Sequence, residues 1–96
     1  MYEIRFSSAA AKYFKKLKEE KLKEAYKAAL LNIQANPFIG HKKQGDLAGV
    51  YGHDVRYLGI NYEIAYLIHE ENRPLIIVLL AGTRENFYEE LKRYIK

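Results

Sequence analysis

The sequence predicts an α+β fold, an antiparallel sheet of about four strands with a helical hairpin on one face and a C-terminal helix, in the order β-α-α-β-β-β-α. Three observations carry this. Apolar residues alternate with polar ones at Tyr2, Ile4 and Phe6, and again at Tyr62, Ile64, Tyr66 and Ile68, the period of a half-buried strand. Between these segments, two stretches repeat apolar residues at helical spacing: Ala10, Tyr13, Phe14 and Leu17, then Leu22, Ala25, Tyr26, Ala29, Leu30 and Ile33. Residues 75–80 are apolar throughout, as in a central strand covered on both faces.

Each element has its own boundary signals. Ser7 or Ser8 caps the first helix by offering a hydroxyl to its free amides. The charged cluster around Glu19, Glu20 and Lys21 turns the chain between the helices. Pro37 ends the second helix, because a proline disfavours the helical conformation in the residue before it. Residues 38–49 carry Gly40, Gly45 and Gly49 and read as a loop. A strand follows from about Val50 to Leu58. A turn at Gly59 and Ile60 then sets Arg56 opposite Glu63, a cross-strand pair of opposite charge. Glu71 and Asn72 make a second hairpin turn. Thr83 caps the last helix, with Phe87, Leu91 and Ile95 inward. The first strand reaches the sheet by crossing over through the helical hairpin, and the other sheet face stays partly open.

With 96 residues the chain forms one domain, residues 1–96, and its 49% hydrophobic content suffices for a packed core. It has no cysteine, which excludes disulfides and thiolate metal sites. The longest apolar run, residues 75–81, is too short to span a bilayer, and no signal-peptide pattern opens the chain; a soluble cytoplasmic protein is expected. The net charge of +4 calls for an acidic partner, whether nucleic acid, acidic protein or membrane surface, unless the lysines serve only to solubilise the helices. Nine tyrosines on so small a chain can stack on bases, though most should fill half-buried positions with one wet end. A partly open, basic, tyrosine-rich sheet face suits an extended polymer.

Three segments resemble the RelE/ParE toxin superfamily. Residues 43–49 (KQGDLAG) are similar to the K-G-D-L-S-G stretch of the YoeB branch. Residues 62–66 (YEIAY) stand where many members have H/Y-R-L-V-Y. Residues 82–88 (GTRENFY) resemble the basic strand end and C-terminal tyrosine of the ribosome-dependent nucleases. The resemblance covers essentially the whole chain. It implies the toxin of a type II toxin–antitoxin pair, neutralised by a cognate acidic antitoxin and monomeric when free. The implied activity is a ribosome-dependent mRNA endonuclease; in the ParE branch it is inhibition of DNA gyrase, and a third reading is an inactive RNA-binding member of the fold. The implied partners are then ribosome and mRNA, with no membrane, cofactor or metal.

Cleavage by a ribose 2′-hydroxyl needs a proton acceptor, cations for the developing phosphorane charge and an acid for the leaving oxygen. By the resemblance, Arg84 supplies a guanidinium at a strand end, and Tyr88, one helical turn later, stacks on mRNA or transfers a proton. Arg56 falls near a basic position of the nuclease hairpin. Glu63 reverses the charge of an arginine found in many nuclease members, either to neutralise Arg56 or to act as the base. His41 aligns with the acidic base of the YoeB branch, and His53, beside Asp54, lies near basic positions of RelE itself. The base is left open among these. Lys42 and Lys43 hold RNA phosphates; Lys12, Lys15 and Lys16 of the first helix contact ribosomal RNA or form an ordinary solvated face.

Overall fold

The computed structural model of the chain describes residues 1–95. Strand β1 (Glu3–Phe6) leads into helix α1 (Ser8–Lys16), and a short link at Leu17, Lys18 and Glu19 leads into helix α2 (Glu20–Ala35). Ser7, not Ser8, is the α1 cap: its hydroxyl accepts from the Ala10 amide at 3.0 Å. After α2, a 3₁₀ turn at Pro37–Ile39 precedes strand β2 (His41–Lys42), and another at Gly45–Leu47 precedes β3 (Val50–Tyr57). Strands β4 (Ile60–His69) and β5 (Leu75–Thr83) and helix α3 (Phe87–Tyr94) complete the order.

The sheet has five strands in the order β1-β5-β4-β3-β2. It is mixed, whereas an antiparallel sheet of about four strands is expected from the sequence. β1 runs parallel to β5, Glu3 to Leu75 through Phe6 to Val78, because the two helices return the chain to the end from which it left. The extra strand is β2, inside the stretch that reads as a loop: His41 pairs with Gly52 and Lys42 with Tyr51. Two residues are too few for alternation to register.

α1 and α2 cover one sheet face, where Tyr26, Ile33, Tyr62, Ile64, Tyr66, Ile76 and Val78 pack together. On the other face Leu47, Val50, Ala65 and Leu80 meet Phe87 and Leu91 of α3. That face is thus covered across its middle by α3. The two faces of β4 divide as its period of two requires. In β5 the register slips at Leu79, since Ala65 pairs with Leu80 but Tyr66 with Val78. The Ser7 hydroxyl donates to the Leu79 carbonyl at 2.6 Å, so one serine caps α1 and satisfies the bulge. Among the described residues no helix is long and apolar enough to cross a membrane.

Two boundaries differ from the sequence reading. The β3–β4 turn is at Leu58 and Gly59, with Tyr57 paired to Ile60 and positive φ of 52° and 75° at the two turn residues. Positive φ at both central residues is the hairpin turn whose twist matches the strands. α3 begins at Phe87, not after Thr83, which is the last residue of β5. Asn86 precedes it in the left-handed conformation (φ 57°). Ile95, expected inward, is 36% exposed beyond the end of α3.

Candidate active site

The one-residue difference in the hairpin turn decides which side chains meet. Glu63 stands opposite Asp54, and Arg56 stands opposite Asn61. The expected Arg56–Glu63 pair does not form; Arg56 is exposed, nearer the hairpin tip. Glu63 therefore has no arginine to neutralise it. It is instead 1% exposed, the one buried charged residue among those described.

Tyr88 reaches it from α3. Its phenol donates to Glu63 Oε2 in a short hydrogen bond. Room for this contact comes from β3, where a side chain at Gly52 would collide with the Tyr88 hydroxyl and lie 2.6 Å from Glu63 Oε2. Lys43 closes the same side: its amide donates to the Val50 carbonyl at 2.8 Å, and its Nζ sits 4.5 Å from the centre of the Tyr88 ring. Arg84 follows the end of β5, where its amide donates to the Asn61 carbonyl at 2.9 Å. Its guanidinium lies 3.8 Å from Asp54 Oδ1, with both side chains about half exposed. Arg84 and Tyr88 are thus brought together by a turn and not, as expected, by one turn of a helix.

Charge is distributed unevenly over the two carboxyls. Burial, reinforced by Asp54, pushes Glu63 up to about 7, against the opposing pull of Tyr88 and Lys43. Its Oε1 is enclosed with no close hydrogen-bond partner. Asp54 moves the other way. The Glu63 carboxyl opposite it foremost, with the charges of Arg84, His41 and His53, holds it below the usual carboxylate range. The buried acid is thus shifted toward its protonated form and the exposed one toward its carboxylate. Burial foremost lowers His53, aided by His41 and opposed by Asp54. Burial and then Glu63 raise Tyr88, so its phenol stays protonated.

Of the side chains singled out from the sequence, Arg84, Tyr88, Glu63 and Lys43 converge, with His41 and His53 in electrostatic range of Asp54. Lys42 is exposed on β2, opposite Tyr51. Lys12 and Lys16 border a groove of about 500 Å³ between α1 and the end of α3; Lys15 is exposed on α1. Among the described residues no group of three or more acid or imidazole side chains is placed to hold a metal ion. Sequence reasoning missed Gly52 and passed over Asp54. A glycine inside a strand pattern marks a close approach, and that signal stood at Gly52.

The family profile described as ParE-like toxin of type II bacterial toxin–antitoxin system matches residues 4–92. No curated protein matches the chain at the level of sequence. Among solved structures, the fold is similar to E. coli RelE in a double arginine-to-alanine mutant in the free state. That match has a TM-score of 0.75 at 22% identity and covers 97% of this chain and 92% of the other. A chain of the intact E. coli RelBE toxin–antitoxin complex matches at TM-score 0.71 and 24% identity, over 85% of this chain and 95% of the other. A chain of the RelBE2 toxin–antitoxin complex from Mycobacterium tuberculosis matches at TM-score 0.68 and 25% identity, over 86% and 91%. With the profile running from β1 to within α3, the chain belongs to the ParE-like toxins of type II bacterial toxin–antitoxin systems.

Proposed function

We propose that this toxin is a ribosome-dependent mRNA endonuclease that works in the cytoplasm, cleaving by attack of a ribose 2′-hydroxyl on the adjacent phosphate. The observation that carries the reading is that two cations, Arg84 beside Asp54 and Lys43 over the Tyr88 ring, flank the hydrogen-bonded pair of Glu63 and Tyr88. Arg84 is exposed and held at a strand end, suited to meet a phosphate and the charge that grows on it. Burial pushes the Glu63 carboxyl up to about 7, which suits it to hold a proton within the cluster near neutrality. Lys42 and Lys43 serve RNA phosphates, and Lys12, Lys15 and Lys16 serve ribosomal RNA, with affinity that falls steeply with salt.

The test is a translating extract in which mRNA ends are mapped. The expected result is cuts within codons only when ribosomes are present, and roughly a 100-fold slower reaction for Arg84→Ala. Transcripts left intact by the wild-type protein would overturn the reading.

One observation favours a second reading, a gyrase inhibitor without nuclease chemistry: a carboxylate stands at Glu63, where many nuclease members have an arginine, and it faces Asp54 across the hairpin. Inhibition of supercoiling by purified protein, unaffected by Arg84→Ala, would establish it. Under either reading the partner is an acidic antitoxin, suited to the net charge of +4, as similar toxins have been solved with theirs.

A further inference from the structure

The nuclease reading leaves its proton acceptor open, and the inference here rests on that reading. The carboxyls of Asp54 and Glu63 face each other across the β3–β4 ladder. Asp54 is half exposed, with the Arg84 guanidinium 3.8 Å away. Glu63 is buried, anchored on one oxygen by Tyr88 and without a close partner on the other. A buried carboxyl oxygen left unsatisfied is costly, and a proton on that oxygen directed to Asp54 removes the cost. The charged and titratable groups around the pair are His41 and Lys43 from β2 and its end, His53 from β3, Arg84 after β5 and Tyr88 from α3.

We propose that Asp54 is the catalytic residue that takes the proton from the ribose 2′-hydroxyl, and that Glu63 is a positioning residue that shares its own proton with Asp54 from the buried side. The O2′–H bond breaks to Asp54, the O2′–P bond forms, and the P–O5′ bond breaks with its electron pair on the 5′-oxygen. That oxygen takes a proton from water. The resulting hydroxide is neutralised by the proton on Asp54, which restores the carboxylate. The products are a 2′,3′-cyclic phosphate and a 5′-hydroxyl. Arg84 meets the phosphate while it leaves Asp54 charged. The protonated Glu63 keeps a second negative charge away from the incoming RNA.

Cleavage by wild type, Asp54→Asn, Glu63→Gln and Arg84→Ala on programmed ribosomes, across pH, tests this. Asp54→Asn is expected to lose at least ~100-fold in rate while still binding ribosomes, since the position is exposed and the shape conserved. Wild-type kcat/KM is expected to fall as pH rises through about 7, where Glu63 ionises. Glu63→Gln is expected to cleave several-fold more slowly and to lose that inflection, a change that a merely structural glutamate would not produce. If Asp54→Asn cleaves like wild type while Arg84→Ala does not, the assignment of Asp54 falls and the nuclease reading stands. If wild type does not cleave, the nuclease reading falls, and the catalytic role with it. Carbon NMR of the labelled carboxyls decides the proton sharing separately: Asp54→Asn must shift the Glu63 titration toward acid, and an unmoved Glu63 would overturn the sharing.

Discussion

Gly52 carries no functional group, yet the site is built around its missing side chain. A methyl there would meet the Tyr88 hydroxyl and lie 2.6 Å from Glu63 Oε2. Gly52→Ala is expected to cost about 1–3 kcal/mol by overpacking and to detach Tyr88 from Glu63, read by denaturant unfolding and by tyrosine fluorescence. Glu63 itself makes stability depend on pH. Its folded value, near 7, lies above the ordinary 4.5, so the folded state holds the proton more tightly. The contribution is fully present below about 4.5 and is lost as pH rises through about 7. Asp54 is shifted downward, and its contribution is lost only at more acid pH. Glu63→Gln is expected to flatten the neutral-side decline, a change on the order of 2–3 kcal/mol between pH 5 and 8, measured by urea unfolding. These groups were legible in the sequence as types but not as a set. Arg84, Tyr88 and Glu63 stand out by residue type and resemblance. Their contact depends on a cross-strand register that one turn residue shifts.

That turn is an element-scale matter. Gly59 marks a hairpin turn plainly, but Leu58 beside it does not, since leucine rarely adopts positive φ. Placing the turn at Gly59 and Ile60 exchanges Asn61 for Glu63 opposite Arg56, and the acid pair disappears from view. Leu58→Asn keeps the turn with a residue that tolerates it, and is expected to raise stability by roughly 0.5–1 kcal/mol in a melting experiment. The helices were easier to read, because their stripes repeat over many residues: Leu22, Tyr26, Ala29 and Ile33 are buried as their spacing requires. Ser7 joins the first helix to the sheet. Ser7→Ala is expected to cost about 1 kcal/mol for the cap and more for the stranded Leu79 carbonyl, read by chemical denaturation.

At the scale of the whole molecule, the unbroken apolar run of β5 announced a strand covered on both faces, and the structure has it, although the second sheet face was expected to stay partly open. What patterning could not announce is that α3 would fill the middle of the second face. An eight-residue helix is anchored there chiefly through Phe87 and Leu91. Short helices draw their stability from such docking and not from propensity. Its amides are therefore expected to exchange with solvent faster than those of β4 and β5. Leu91→Ala is expected to widen that difference, at a cost of about 2–5 kcal/mol to the docked helix.

The parallel pairing of β1 with β5 also has a consequence in time. Residues 3–6 meet their partners only at residues 75–78, so the first strand waits on the last one during synthesis. Contacts of such long sequence separation slow folding, because loop closure must come before they can form. Tyr88 is later still, and the Glu63 contact needs it. A chain interrupted before α3 has its carboxyl pair without the phenol that anchors Glu63, which ties the assembly of this site to the synthesis of α3.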